Sequence, residues 1–545
     1  MKHRWSVIGA VAVISFASGG FLLQRSVQGD MGATDERLFD DVVSHVNNYY
    51  VDSLGASELY QKATDGMLEQ LNDPYSVLLT GDDYKALTEQ TSGNFAGLGI
   101  QIDVRDGWIT VVAPLPDTPA ERAGIETGDQ IIEVDGKSTE GWKSDEAVKA
   151  LRGEPGSKVR ILVRRAGLGQ VLPYELTRAV IHVRSVQEGT LFDDGIGYIS
   201  LSTVSETSAE ELREEITAMR AKGMRALLLN LRVNPGGLLD QGVKVADLFL
   251  EPRQEIVSTR GRAKGSSRTF VDQARQQWPD LPIVVLVDEF TASAAEIIAG
   301  ALQDHDRAVI VGAPTYGKGL VQTLFPMGDG VALKLTTARW YTPSGRTIQR
   351  EAKSEGEQAL QAMREAGVAE PDSTAVEPDT SIRSRPVFKT DAGRTVRGGG
   401  GIVPDVVVRQ DTLTGAEKEF ARTIGDKVPQ YRDVLTTYAL ELKRSGALSS
   451  PSFTITPQML QQVRGRLRAK GVTLDDSVFT GASGLVSEQL GYEAARYVFG
   501  RPAEFRRRAA DDRQMQEAIA LLRNAQTPQD LLELASARPV EKAAR

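Results

Sequence analysis

Between Ile196 and Tyr341 short apolar runs and helical patterns alternate, and no other feature of the 545-residue chain constrains its fold as strongly. Ile196 to Leu201 reads as a strand, Ser208 to Ala221 as a helix, Ala226 to Leu231 as a buried strand and Leu238 to Leu250 as a helix. The strand Ile283 to Val287, the helix Ala292 to Gln303 and the strand Ala308 to Val311 follow. Such a succession buries its apolar faces by laying helices on a sheet, so an α/β layer architecture is expected. A single core stops growing at about 250 to 300 residues. Several domains follow.

The flanks read differently. Residues 34–92 carry apolar positions at helical spacing, as in Leu38, Val42 and Val46, and form an expected N-terminal helical domain. Residues 93–168 hold short β-rich segments between Gly, Pro and Asp turns, the pattern of a small self-contained β module. The core spans 185–410, with 350–397 as a polar surface insertion that lacks periodicity. Residues 411–545 return to helical patterning.

Lys2, His3 and Arg4 precede an uncharged, mostly apolar run from Trp5 to Leu23, so residues 1–29 are a signal peptide or an uncleaved signal anchor. Either places the remainder outside the cytoplasm, in the periplasm or cell envelope. With no cysteine, thiolate nucleophiles and disulfides are excluded. The net charge of −9 and the lack of a basic stripe argue against nucleic-acid binding.

Asp288 to Glu296 follows an apolar strand and opens a helix of small residues. A serine at such a turn, Ser293, has an exposed hydroxyl beside the free amides of a helix N-terminus, which suits a nucleophile and an oxyanion hole. Taken alone, Thr291 or Ser293 reads as a helix cap rather than a nucleophile. Further on, Gly312 to Gly319 boxes Lys318 between glycines. A phosphate loop would need Ser or Thr after that lysine and then a helix, whereas Gly319 and a strand follow. Burial among glycines and apolar strands disfavours a charged lysine, so Lys318 can accept the serine proton, as in Ser-Lys pairs. Of the four histidines, His3 lies in the targeting segment and His305 falls about 18 Å from Ser293 along one helix. No metal-ligand spacing occurs. Asn230 to Gly237 supplies a second exposed turn whose glycine amides can approach a substrate.

Together these motifs resemble the C-terminal processing (tail-specific) peptidase family, from about Asp35 to Val408. Thr291 to Glu296 matches the nucleophile segment and Tyr316 to Gln322 the base segment. The resemblance implies Ser293 as nucleophile, Lys318 as base, Gln322 as its orienting residue, and Gly236 or Gly237 with the Ala294 amide as oxyanion donors. Tyr341 to Arg346 and Gly401 to Val406 match further family motifs. The β module resembles a PDZ domain, with Gly97, Leu98, Gly99 and Ile100 at the carboxylate-binding loop.

The implied whole is an α/β multidomain protein. A ββα-spiral (crotonase/Clp-like) peptidase core carries an inserted PDZ domain, with helical regions at both ends. No cofactor or metal is implied. The partners are protein or peptide substrates with exposed, apolar C-termini, with an adaptor or activator and homo-oligomers through the C-terminal helices left open. The alternative reading is a silent PDZ scaffold of the cell envelope.

Overall fold

The computed structural model describes residues 35–105, 107–165, 168–350, 383–409 and 413–538. The segment read as a signal peptide or anchor and most of the polar insertion lie outside the described residues. Among the described residues no helix is long and apolar enough to cross a membrane. Two compact units result, one of residues up to Thr80 with Gln322–Thr336, the other of Gly81–Val321 with Thr337 onward.

In the first unit residues 35–49 and Ala56–Glu69 are helical. Asn72 then takes a φ of 52°, ending the helical run before the strand Val77–Thr80. That strand pairs antiparallel with Val331–Lys334, and the Ser76 hydroxyl accepts the Thr336 amide at 3.1 Å. A strand inside a region patterned as helical was not legible, because its four residues are all half-buried and show no alternation.

The second unit is built on a six-stranded sheet. Its order is Thr190–Leu191, Ile196–Ser200, Ala226–Asn230, Ile283–Val287, Val309–Gly312 and Val406–Val407, parallel from the second strand onward. Parallel strands covered on both faces read as unbroken apolar runs. Ala226–Asn230 and Ile283–Val287 are buried throughout for that reason. Leu227 and Leu229 face one core with Leu212 and Ile216 of the helix Ser208–Ala221, Val245 of Leu239–Asp247, and Ile297 and Ile298 of Ala294–Asp304. Ala226 and Leu228 face the other, against Met515, Ala518 and Ile519 of Arg513–Asn524 and Leu531 of Pro528–Ser536. The C-terminal region is therefore not one body. Its last two helices complete the core, while Gly415–Ile424, Val428–Ser445, Pro457–Ala469 and their neighbours close a separate apolar cluster around Phe420, Val463 and Leu490.

The β module carries the sheet order Ile100–Arg105, Trp108–Pro114, Gln130–Val134, Lys158–Arg164, Val171–Thr177, with the helix Ser144–Leu151 beside it. Ile109, Ile131, Val163 and Ala147 form its core. The ribbon Asn94–Gly97 with Ala179–His182 brackets it at both ends.

The segment 383–397 differs from the polar insertion expected there. Val387–Lys389 pairs with Thr395–Arg397, and Arg394 bonds Asp306 and Asp405, each at 2.5 Å. Arg346, fully buried, donates to Asp304 Oδ1 at 2.7 Å. Ion pairs and a short hairpin leave no periodic trace in sequence.

Candidate active site

The strand Ile283–Val287 ends at Asp288, the chain turns through Phe290 to Ala292, and the helix Ala294–Asp304 begins, with Ser293 as its N-cap. Ser293 holds φ 54° and ψ −120°, a backbone state that L-residues rarely occupy and that persists only when its surroundings over-determine it. Ser293 is half-buried and stands at the N-cap, with its amide donating to Glu296 Oε2 as one arm of a capping box. Thr291 does not cap. Its hydroxyl donates to Leu231 O at 2.8 Å and accepts the Asp288 amide at 3.0 Å. The positive end of the helix dipole falls at Ser293.

Glu296 holds this turn. Fully buried, its Oε2 accepts the Ser293 amide at 2.8 Å and the Lys318 amide at 2.9 Å, while Oε1 accepts the Gly317 amide at 2.8 Å and the Thr315 hydroxyl at 2.5 Å. Burial pushes its carboxyl above the usual range, against the pull of these four donors. One carboxylate oxygen thus ties together the backbones of the candidate nucleophile and the candidate base. Sequence reasoning gave Glu296 no role, although Ser293-x-x-Glu296 spells a capping box.

Lys318 is half-buried, and its backbone is fixed on both sides. Trp340 Nε1 donates to Lys318 O at 3.0 Å, and the Gly319 amide donates to Gln349 Oε1 at 2.8 Å. Gly317 has φ 89°, and a Cβ there would lie 2.9 Å from the Gly401 amide nitrogen, so only glycine admits this approach.

The second turn comes against the first. The Ala292 amide donates to Asn234 O at 2.9 Å, and the Val233 amide donates to Asp288 Oδ1 at 3.0 Å. Burial raises the Asp288 carboxyl, countered by these backbone donors. A Cβ on Gly236, whose φ is 88°, would stand 2.6 Å from Ala292 O and 2.8 Å from the Ala294 nitrogen. The two candidate oxyanion glycines then separate. The Gly236 amide donates to Asn234 Oδ1 at 2.8 Å, and its carbonyl accepts the Val204 amide, also at 2.8 Å. Gly237 makes no such amide bond among the described residues.

Gln322 lies in the first unit, on the strand Leu320–Gly328, where its Nε2 is buried without a hydrogen-bond partner among the described residues. His305 caps the far end of the Ser293 helix, with its ring bonded to Asp391 Oδ2 at 2.7 Å and to Glu255 O at 2.6 Å. His182 sits on the ribbon, 2.7 Å from Glu211 Oε1. In the β module the Leu98 carbonyl accepts the Ala120 amide at 3.1 Å and the Gly99 carbonyl accepts the Leu115 amide at 2.8 Å, which turns both carbonyls inward at the start of the strand Ile100–Arg105. Gly97 pairs with Ala179. Among the described residues no group of three or more histidines and carboxylates is placed to hold a metal ion.

A family model for peptidase family S41 matches residues 195–355, and a PDZ domain model matches 110–165, which defines a serine protease carrying a PDZ domain. The chain belongs to the carboxy-terminal processing proteases of that family. The carboxy-terminal-processing protease of Bartonella bacilliformis is 40% identical over 315 residues, 57% of this chain and 72% of its own. The carboxy-terminal processing protease CtpA of Bacillus subtilis is 34% identical over 359 residues, 64% of this chain and 76% of its own. Among solved structures, the photosystem II D1 C-terminal processing protease is similar at 28% identity and a TM-score of 0.32, over 57% of this chain and 89% of that one.

Proposed function

We propose that the chain is a tail-specific serine endopeptidase that works through Ser293 and Lys318, with the amides of Gly237 and Ala294 as oxyanion donors. The observation that carries this reading is the shared Glu296 carboxylate, which holds the Ser293 and Lys318 backbones on one oxygen while Ser293 is kept in a rare backbone state.

In the first half-reaction the amine of Lys318 takes the Ser293 Oγ proton as Oγ attacks the scissile carbonyl carbon. Negative charge develops on the carbonyl oxygen, where two preorganised N–H donors stabilise it. The intermediate collapses, the C–N bond breaks, and the Lys318 ammonium protonates the departing amine. An acyl-enzyme on Ser293 remains. Water, losing a proton to the same amine, then attacks the ester carbon, the C–Oγ bond breaks, and the Lys318 ammonium returns the proton to Ser293 Oγ as the acid leaves. Gln322 is proposed as the third functional residue on the strength of the family motif, and the core as a ββα-spiral.

The PDZ domain is proposed to capture substrates by apolar C-termini, with the terminal carboxylate at Gly97 to Ile100 and the peptide added to the edge of the strand Ile100–Arg105. The edge of that strand supports this, since among the described residues it pairs on one side only, with Trp108–Pro114. The N-terminal segment is proposed to place the protein outside the cytoplasm.

The test uses a purified protein substrate with an apolar tail. Ser293→Ala and Lys318→Ala are each expected to lower kcat by about 1,000-fold or more while circular dichroism and melting temperature stay at wild-type values. Cleavage retained by folded Lys318→Ala would remove lysine as the base.

A further inference from the structure

The strand Ile100–Arg105 alternates its side chains between two faces. Ile100, Ile102 and Val104 pack on the core of the β module, on the side of Ala147 and Leu151. Gln101, Asp103 and Arg105 face away from that core. That face stays largely exposed, and the C-terminal helical region reaches its rim through two hydrogen bonds. Arg105 Nη1 donates to the Tyr497 hydroxyl at 3.2 Å, and Arg501 Nη2 donates to Gln101 Oε1 at 3.3 Å. Tyr497 lies in the five-residue π turn Ala495–Phe499, and Arg501 opens the following helix, Arg501–Asp511.

A peptide added to the edge of this strand alternates in the same way. If its terminal side chain lies on the side of Ile100 and Ile102, the second and fourth residues from the terminus project onto the face of Gln101 and Asp103. That face is the one the C-terminal helices border. Its charges are not balanced. Asp103 is matched by Arg105 at 3.4 Å, and Arg496 by Glu504 at 3.8 Å. Arg501 is exposed and has no carboxylate partner among the described residues.

We infer that the peptide site extends from the PDZ domain onto the C-terminal helical region, where Arg501 selects tails with an acidic side chain at the second or fourth position from the C-terminus. This rests on the tail-capture reading above and adds a substrate class to it. Such a charge acts on specificity by favouring one sign at defined positions of the bound strand.

The experiment measures Kd by fluorescence anisotropy at low salt, using the full chain with Ser293→Ala to prevent turnover. The probes are short labelled peptides with a common apolar end and glutamate, serine or lysine at the second and fourth positions. The glutamate tail is expected to bind about fivefold tighter than the lysine tail, in line with an exposed ion pair. Arg501→Glu is expected to reverse the order of the glutamate and lysine tails, and Arg501→Gln to level it. Equal affinities in the parent chain, or a preference that survives both substitutions, would overturn the inference and leave tail capture standing. Failure of every peptide to bind would overturn tail capture and this inference with it.

Discussion

Val233 holds φ at 57° although its side chain is β-branched and 68% exposed, so neither packing nor intrinsic preference explains its conformation. Its amide bonds both oxygens of Asp288, at 3.0 and 3.2 Å, and that buried carboxylate fixes the turn against the strand that leads to Ser293. Asparagine tolerates the left-handed region better than valine. Val233→Asn is therefore expected to stabilise the protein by about 1 kcal/mol, measurable as a higher denaturant midpoint at unchanged slope. Glu296 is the opposite case. Both its oxygens accept donors, so Glu296→Gln must turn an NH₂ group towards other N–H or O–H groups whichever way the amide lies. The cost expected is about 2 to 3 kcal/mol in urea unfolding, together with a fall in kcat, because the same substitution releases the Ser293 and Lys318 backbones.

At the scale of elements, the helix Leu239–Asp247 starts just after the Gly236–Gly237 turn and ends on an acidic residue. Carboxylates are disfavoured at a helix C-terminus, where the dipole is negative. Asp272, only 1% exposed, lies beside Asp247, and its carboxyl is held among few donors. Burial first, and then the Asp247 charge, push the Asp272 carboxyl up to about 7. The folded protein therefore keeps this proton where the unfolded chain has lost it. Stability from the group is full below the ordinary aspartate value, about 3.9, and is lost as pH rises to about 7. Asp272→Asn is expected to flatten the decline in melting temperature across that window and to raise it most at the alkaline end. An unchanged pH profile would show that Asp272 titrates normally.

Across the whole second unit, the C-terminal helices do more than cover a sheet. Arg232, two residues before Asn234 in the turn that carries Gly236 and Gly237, pairs with Asp512 at 2.7 Å and donates to Gln514 Oε1 at 3.0 Å. Gln514 is fully buried and donates in turn to Val408 O at 2.8 Å. Asp512→Ala leaves the Arg232 charge unmatched at the base of that turn, so kcat is expected to fall about tenfold with KM and PDZ peptide affinity unchanged. A chain ending before Gly415 would expose the sheet face of Ala226, Leu228, Val284 and Val311. Such an uncovered apolar face is an aggregation site, and the truncated protein is expected in the insoluble fraction.

The buried strands Ala226–Asn230 and Ile283–Val287, the turn that carries Ser293, and the glycines around Lys318 were legible because each is a local pattern that short-range sterics and burial enforce. Even Glu296 was within reach, three residues from Ser293 in a recognisable capping spacing. The division of labour between Gly236 and Gly237 was not, since it depends on how the Asn234 side chain folds back onto one amide. Nor could any pattern announce that Arg232 is held by a glutamine 282 residues away, or that Arg501 reaches across to Gln101 over 400. The sequence determined the strands, the helices and the chemistry-bearing turns through periodicity and backbone freedom. Tertiary packing alone decided which distant polar groups meet, because those pairings join residues with no local signature and are set by which donors and charges the fold brings together.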